Sequence, residues 1–236
     1  IAHAATADTR VFREVTQLGK ELEKIGSRVM GSENHAKVGI IFDWENYWAL
    51  EYTSGPNRDL RYVDQIEQMY NYFYNKNIAV DMIPIDADFS KYDLVAAPVL
   101  YMVKDGVAES LEAYVQAGGT LITTYMSGIV GQSDNVHLGG YPGPLRKMAG
   151  VWVEEIDALA PEQRNKIRFA DGTEEECRLV CDLMHLEGAE EIAQYENDFY
   201  AGMTAVAKNQ FGKGTVYYVG TDLSESGLAK VLAMAA

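Results

Sequence analysis

Apolar and polar positions at the start of the chain recur with the period of an amphipathic helix. Residues 11–25 are predicted to be helical, and either Asp8 or Thr9 could cap the N-terminus. No strand is predicted before this helix, so we expect its apolar face to pack on something outside the fold that follows. Residues 26–35 are rich in turn formers and predict a linker, which places the main domain boundary there. The apolar face consists of Val11, Phe12, Val15, Leu18, Leu22 and Ile25.

Short apolar runs then alternate with helical patterns. Gly118 and Gly119 are typical of a helix C-terminus. Because strands that alternate with helices are joined by right-handed crossovers, the pattern predicts an α/β fold with an open, mostly parallel sheet and helices on both faces. The predicted strands cover residues 37–41, 78–84, 92–98 and 120–125, and the predicted helices cover residues 59–75 and 108–116.

The remainder of the chain is less regular. It is predicted to contain extended segments at residues 151–155, 177–183, 203–209 and 215–220, and a closing helix at residues 224–235.

Residues 42–50 form an aromatic and acidic segment directly after the first predicted strand. This is the carboxyl end of a strand, where open α/β sheets present ligands or partners. A loop that only turned the chain would use Gly, Pro, Asn or Ser. We therefore predict a loop that another subunit or domain covers, because aromatic side chains are enriched at such interfaces. The alternative is that Trp44 and Trp48 fold back onto the edge of the sheet.

The composition limits the kinds of partner that this chain is expected to bind. The 236 residues carry a net charge of −15, which argues against binding to nucleic acid or to an anionic membrane. No segment has the length of apolar sequence that a membrane span needs, and the first six residues lack the features of a signal peptide. The chain starts without Met and enters a helical pattern almost at once, which suggests a piece of a longer protein. Two cysteines are too few for a disulfide framework, which favours a cytoplasmic location.

Candidate catalytic chemistry centres on Ser127. It follows the fourth predicted strand, where hydrolase-like sheets hold a nucleophile, and Asp134 and His137 lie downstream as possible partners. A nucleophile elbow requires a small residue two positions before the nucleophile, but Tyr125 stands there. We therefore predict a structural turn, with a serine hydrolase as the alternative.

The sequence lacks the usual motifs of metal and cofactor sites. Cys177, Cys181 and His185 recur every four residues, but a zinc site normally takes four ligands and no second cluster follows. In a strand, Cys177, Leu179, Cys181 and Leu183 would share one buried face. No glycine-rich phosphate loop occurs, so we predict no cofactor and no metal. Asp43 and Glu45 would share a face if extended, and a solvated or interface role is the better interpretation of this pair.

The chain resembles the trimerisation (middle) domain of family 42 glycoside hydrolases, the β-galactosidases, over residues 8–232. The segments at 42–50 and 138–146 are specific to that family, whereas the Gly118-Gly119 helix end is not. The remaining matching segments are residues 8–15, 92–98, 114–119 and 212–220. The two specific segments read Phe42-Asp43-Trp44-Glu45-Asn46-Tyr47-Trp48-Ala49-Leu50 and Leu138-Gly139-Gly140-Tyr141-Pro142-Gly143-Pro144-Leu145-Arg146.

The resemblance implies a flavodoxin-like or class I glutamine amidotransferase-like domain without a nucleophile of its own. Residues 36–236 would form the trimerisation domain, and residues 1–35 would be the last helix of a preceding (β/α)8 barrel plus a linker. The barrel would carry the two glutamates that hydrolyse β-galactosides with retention, so this chain alone is predicted to be inactive. Where the family usually has an acidic pair, Gly131 and Gln132 stand in this chain.

The resemblance also implies a homotrimer. The predicted interface or active-site-approach residues are Trp44, Glu45, Asn46 and Trp48. The alternatives are a serine hydrolase that uses Ser127 and a sugar-binding module that uses Trp44 and Trp48.

Overall fold

The structure is a computed structural model that describes residues 6–53 and 55–236. The sequence-based exclusion of a signal peptide concerns residues that lie almost entirely outside this described part. The chain divides into two compact units, Ile1–His35 and Ala36–Ala236, and each is described by itself. No helix within the described residues is both long enough and apolar enough to cross a membrane.

The described part of the first unit contains one helix, α1 (Arg10–Val29). The side chain of Thr9 caps it by accepting a hydrogen bond from the backbone N–H of Phe12 at 3.3 Å. The predicted helix is confirmed, but it continues through Gly26, whose carbonyl accepts a hydrogen bond from the N–H of Met30. The linker is therefore shorter than predicted. The apolar residues of α1 are all exposed.

The second unit is an α/β fold built on one mixed sheet. Its helices are α2 (Trp44–Tyr52), α3 (Tyr62–Asn75), α4 (Val107–Ala117), α5 (Arg146–Ala149) and α6 (Glu225–Ala235). Its strands are β1 (Val38–Ile41), β2 (Val80–Ile83), β3 (Leu94–Ala97), β4 (Thr120–Thr124), β5 (Val151–Ala158), β6 (Asn165–Phe169), β7 (Glu174–Leu186), β8 (Glu190–Tyr195), β9 (Thr204–Phe211), β10 (Gly214–Val219) and β11 (Thr221–Leu223).

The parallel part of the sheet has the order β2-β1-β3-β4-β10, and each neighbouring pair in it is parallel. This confirms the four strands and the crossover helices predicted from the apolar runs. Because the strands are parallel, the segments that follow β1, β3 and β4 emerge at the same edge of the sheet, which we call the carboxyl edge.

The remainder of the sheet is antiparallel. β9 pairs with β10, and the order continues through β8, β6 and β7 to β11, with β5 on β7. The predicted single face of β7 is wrong in one respect. Leu179 has a left-handed φ of 65°, and Val180 and Cys181 are both buried next to it, so the in-and-out alternation fails at that point.

Hydrophobic clusters lie on both faces of the sheet. Phe73 of α3 and Val231 of α6 pack in the same cluster as Ile40 of β1. Leu111 of α4 packs in the opposite cluster with Ile41, the next residue of β1. Successive residues of a strand point to opposite faces, so a buried strand of continuous apolar residues supports helices on both sides.

Candidate functional site

The aromatic segment predicted as a loop is a helix. Asp43 begins α2 as its N-cap, and its Oδ2 accepts a hydrogen bond from the backbone N–H of Asn46 at 3.0 Å. The prediction of a loop was wrong because an N-capping Asp and a run without Gly or Pro favour a helix, even a short one. α2 leaves the carboxyl edge next to the boundary between β1 and β3, where the strand order changes direction.

One face of α2 carries an exposed aromatic stripe, which consists of Trp44, Trp48 and Tyr52. Their exposed fractions are 60%, 50% and 88%. The spacing of four residues places the three side chains above one another on the helix. The indole rings of Trp44 and Trp48 lie 6.1 Å apart, and that of Trp44 meets the ring of Phe42 edge to face at 5.0 Å. Trp44 therefore packs on Phe42, and both tryptophans keep one side exposed to solvent.

Tyr52 is a member of the stripe that the sequence argument missed. It lies four residues after Trp48 and outside residues 42–50. If that segment had been predicted as a helix, the spacing of four residues would have placed Tyr52 on the same face as the two tryptophans.

An ion-pair network fixes the start of α2. The ammonium of Lys104 lies 2.7 Å from a carboxylate oxygen of Asp43 and 2.5 Å from one of Glu45. Burial lowers the pKa of Lys104, but hydrogen bonds and charge from the two carboxylates outweigh burial and raise the pKa above its ordinary value. Glu45 is exposed but engaged with Lys104, so it holds α2 to the segment that follows β3.

Asn46 is completely buried, unlike the adjacent Glu45 and Tyr47 on α2. Its Nδ2 donates to the carbonyl of Val99 and its Oδ1 accepts from the N–H of Met102, both at 2.8 Å. Val99 has a φ of +46°, an unusual conformation for a β-branched residue. Asn46 therefore satisfies the backbone of a strained turn after β3 and locks that turn to α2, where no partner can reach its side chain.

Ser127 is buried and bonded within the fold. Its Oγ lies 2.8 Å from Oγ1 of Thr123 and accepts a hydrogen bond from the N–H of Leu100 at 3.0 Å. The side chain has no exposed surface. The structure thus brings Ser127 to Thr123 and Leu100, and no hydrogen bond within the described residues joins it to Asp134 or His137.

The strained residue after β4 is Met126, with a φ of +57°. An elbow of this type holds the nucleophile in hydrolases that use one. A thioether at this position has no proton to lose and is no nucleophile for acyl transfer. The turn therefore has the strained backbone of a nucleophile elbow but no nucleophile at the strained position.

The three predicted metal-ligand candidates all lie on β7, in a strand and not on a helix. Cys177 and Cys181 are buried free cysteines. His185 is partly exposed, stacks on Trp152 at 4.9 Å and lies 2.7 Å from a carboxylate oxygen of Glu154. Within residues 6–53 and 55–236, no group of three His, Cys, Asp or Glu side chains is arranged to hold a metal ion.

The aromatic stripe does not line either of two large grooves. One groove of about 1050 Å³ lies at the amino ends of β1, β3 and β4, and another of about 890 Å³ lies between α3 and α6. Neither includes Trp44 or Trp48 in its lining. Small-molecule sites are concave, whereas the stripe stands on an open helix surface. This geometry suits a macromolecular contact better than a sugar pocket.

Known proteins resemble the chain over nearly its whole length. It is 50% identical to the β-galactosidase LacZ of Lactobacillus acidophilus over 231 residues, which are 98% of this chain and 34% of that protein. It is also 50% identical to the β-galactosidase BgaA of Planococcus over 224 residues, 93% of this chain and 33% of that protein.

A solved structure agrees with these relatives. The crystal structure of β-galactosidase from Bacillus circulans sp. alkalophilus superposes with a TM-score of 0.87 at 44% identity, over 99% of this chain and 35% of that one. The chain thus spans about a third of the length of the proteins it matches. The family model of the β-galactosidase trimerisation domain matches residues 36–236. The chain therefore belongs to the β-galactosidase trimerisation domain family.

Proposed function

We propose that this chain is the non-catalytic assembly domain of a longer β-galactosidase, and that it joins three copies of that enzyme through the aromatic stripe of α2. The observation that carries the proposal is the exposed stripe on a helix that is itself anchored at Asp43 and Asn46. Aromatic residues that are exposed, rigidly held and close together are the usual centres of protein interfaces.

The site residues divide by role within this proposal. Trp44 and Trp48 make contact with the partner, whether with its own assembly domain or beside its active site. Glu45 and Asn46 position α2 through Lys104 and through the turn after β3. The finer fold assignment is also a proposal: the order β2-β1-β3-β4-β10 follows the 2-1-3-4-5 order of flavodoxin-like sheets. The class I glutamine amidotransferase-like assignment is supported by the sequence resemblance alone.

The domain boundaries complete the proposal. Residues 1–35 would be the last helix of a preceding barrel with its linker, and residues 36–236 the trimerisation domain. An amphipathic α1 with an exposed apolar face supports this division. We propose a cytoplasmic location, because Cys177 and Cys181 are free. The parent enzyme would supply the chemistry, so the purified chain should not hydrolyse a nitrophenyl β-galactoside, and persistent hydrolysis would contradict this proposal.

The test is the oligomeric state of the chain by sedimentation. The wild type should reach a mass about three times that of its 26.2 kDa chain. Replacing both tryptophans (Trp44→Ala with Trp48→Ala) should weaken association about a thousandfold, since two interface centres contribute about 2 kcal/mol each. The matched control is Tyr74→Ala, an aromatic residue that is 64% exposed in the last turn of α3.

Each outcome of the sedimentation experiment is informative. A wild-type chain that stays monomeric at all accessible concentrations would rule out assembly by this chain. A double variant that assembles like the wild type would remove α2 from the interface. A change in tryptophan fluorescence on adding galactose would favour the sugar-binding alternative instead.

A further inference from the structure

The loop after β4 presents apolar side chains to solvent. Leu138 is 96% exposed and Val136 is 55% exposed. Both belong to the segment at residues 131–146, whose function is not explained by the fold alone. A single exposed leucine is common on protein surfaces, but this one lies in a loop that is held on both sides and leaves the same edge of the sheet as α2.

The loop is held firmly on both sides of Leu138. On one side, the N–H of His137 donates to the carbonyl of Ile129 at 2.9 Å. On the other, Nη1 of Arg146 donates to the carbonyl of Gly139 at 2.6 Å. Gly140 follows with a φ of +93°, and a Cβ there would lie 2.2 Å from Nε1 of Trp152. The backbone on both sides of Leu138 is thus held in place, so binding has to order little more than the leucine side chain itself.

The loop leaves the sheet at the same edge as the helix that carries the aromatic stripe. β4, β3 and β1 are neighbours in the parallel part of the sheet, so their carboxyl ends lie side by side. The segment after β3 bonds to both neighbours. The N–H of Met102 donates to Oδ1 of Asn46 on α2 at 2.8 Å, and the carbonyl of Tyr101 accepts a hydrogen bond from the N–H of Ile129, just before the loop, at 3.0 Å. This segment therefore connects α2 with the loop across the carboxyl edge.

The aromatic stripe alone is too small for a stable interface. At the exposures of 60%, 50% and 88%, its three side chains offer roughly 400 Å² in total. A specific interface buries about 800 Å² per partner. A second apolar area next to the stripe is needed to approach that figure, and Val136 and Leu138 are the exposed apolar residues of the neighbouring loop.

We propose that Leu138 and Val136 form a second contact area of the assembly interface and pack against another copy of this chain. This inference rests on the proposed function. The occupant is a second copy because the family is a trimerisation domain and because the loop leaves the same edge of the sheet as α2, to which that contact is assigned. Leu138 packs into the partner from a loop whose backbone is held in place, and the aromatic stripe packs beside it.

Site-specific crosslinking tests this proposal directly. The photoreactive amino acid benzoylphenylalanine is placed at position 138 of the whole chain, and in a control at position 74 on α3. On illumination, position 138 should give a product of about twice the 26.2 kDa of one chain, and position 74 should give none. A mixture with isotope-labelled chains shows by mass spectrometry that the crosslink joins two copies.

A second variant separates contact from proximity. Leu138→Ser should weaken trimer formation at least tenfold in sedimentation, since it removes a leucine that becomes buried only on assembly. Its thermal midpoint as a monomer should equal that of the wild type, because the side chain has almost no contact within the chain.

The outcomes distinguish this inference from the proposed function. If the wild type forms trimers but position 138 gives no crosslink and Leu138→Ser assembles normally, the loop is not in the interface and the proposed function stands. A wild type that never associates would overturn both. A crosslink to another class of protein, with none between copies, would contradict a second copy as the occupant.

Discussion

Asp182 should make the stability of this protein fall as pH rises, and the variant Asp182→Asn should remove that dependence. Asp182 lies on β7 and is buried completely. The hydroxyl of Tyr218 donates to its Oδ2 at 2.7 Å, while its Oδ1 has no hydrogen-bond partner within the described residues. Burial disfavours the charged form and raises the pKa of Asp182 from 3.8 to about 8, although the bond from Tyr218 opposes this shift.

The direction of the effect follows from proton linkage. Between pH 3.8 and about 8 the folded chain keeps the proton of Asp182 and the unfolded chain has lost it. The stabilisation by this group is therefore complete below the unfolded-state pKa and is lost as the pH rises through the folded-state pKa. Within this range the loss is about 1.4 kcal/mol per pH unit, which amounts to about 2.5 kcal/mol between pH 5.5 and 7.5.

Asparagine keeps the acceptor for Tyr218 and cannot ionise. Urea unfolding of the wild type and of Asp182→Asn at pH 5.5, 6.5 and 7.5 would measure the free energy of unfolding of each. The difference between them should change by about 2.5 kcal/mol across this range in favour of the variant. Asp59→Asn, which removes the same charge from an exposed position, is the matched control and should leave the pH dependence unchanged. Parallel curves for the wild type and Asp182→Asn would refute the reasoning.

Two further predictions concern the groups that shape the carboxyl edge. Asn46→Ala leaves the carbonyl of Val99 and the N–H of Met102 buried without partners, so it should lower the free energy of unfolding by about 2–4 kcal/mol in urea titration; a loss below 1 kcal/mol would show that water replaces the amide. Gly140→Ala meets both a left-handed φ and the indole of Trp152, and should lower the thermal midpoint by several degrees. An unchanged midpoint would contradict the tight packing of this loop.

The hydrophobic pattern was sufficient for the parallel half of the sheet. Fully buried parallel strands appear as short continuous apolar runs, and β1 and β3 are buried at every residue. The boundaries of α4 and α6 also followed from sequence signals. Gly118 lies at the C-cap of α4, and Ser224 caps α6 by accepting a hydrogen bond from the N–H of Gly227.

The antiparallel half was harder to predict because it is only half buried. The strand β6 alternates strictly between buried and exposed residues. Because its exposed residues Lys166 and Arg168 are charged, it has no continuous apolar run to indicate a strand. The strand β8 begins with two exposed glutamates. A search for alternation over five residues could have found β6. In contrast, β8 forms because it pairs with β6 and β9, and this pairing leaves no signal in the local sequence.

The sequence by itself determined the α/β class, the family and the importance of residues 42–50, because continuous apolar runs and specific motifs are local properties of the chain. Only the tertiary structure decided what the members of that segment do. It buried Asn46 against a strained turn, bound Glu45 to Lys104 and left Trp44 and Trp48 open together with Tyr52. The physical reason is that burial and hydrogen bonding depend on residues 50 or more positions away, which meet α2 only when parallel strands bring their carboxyl ends to one edge.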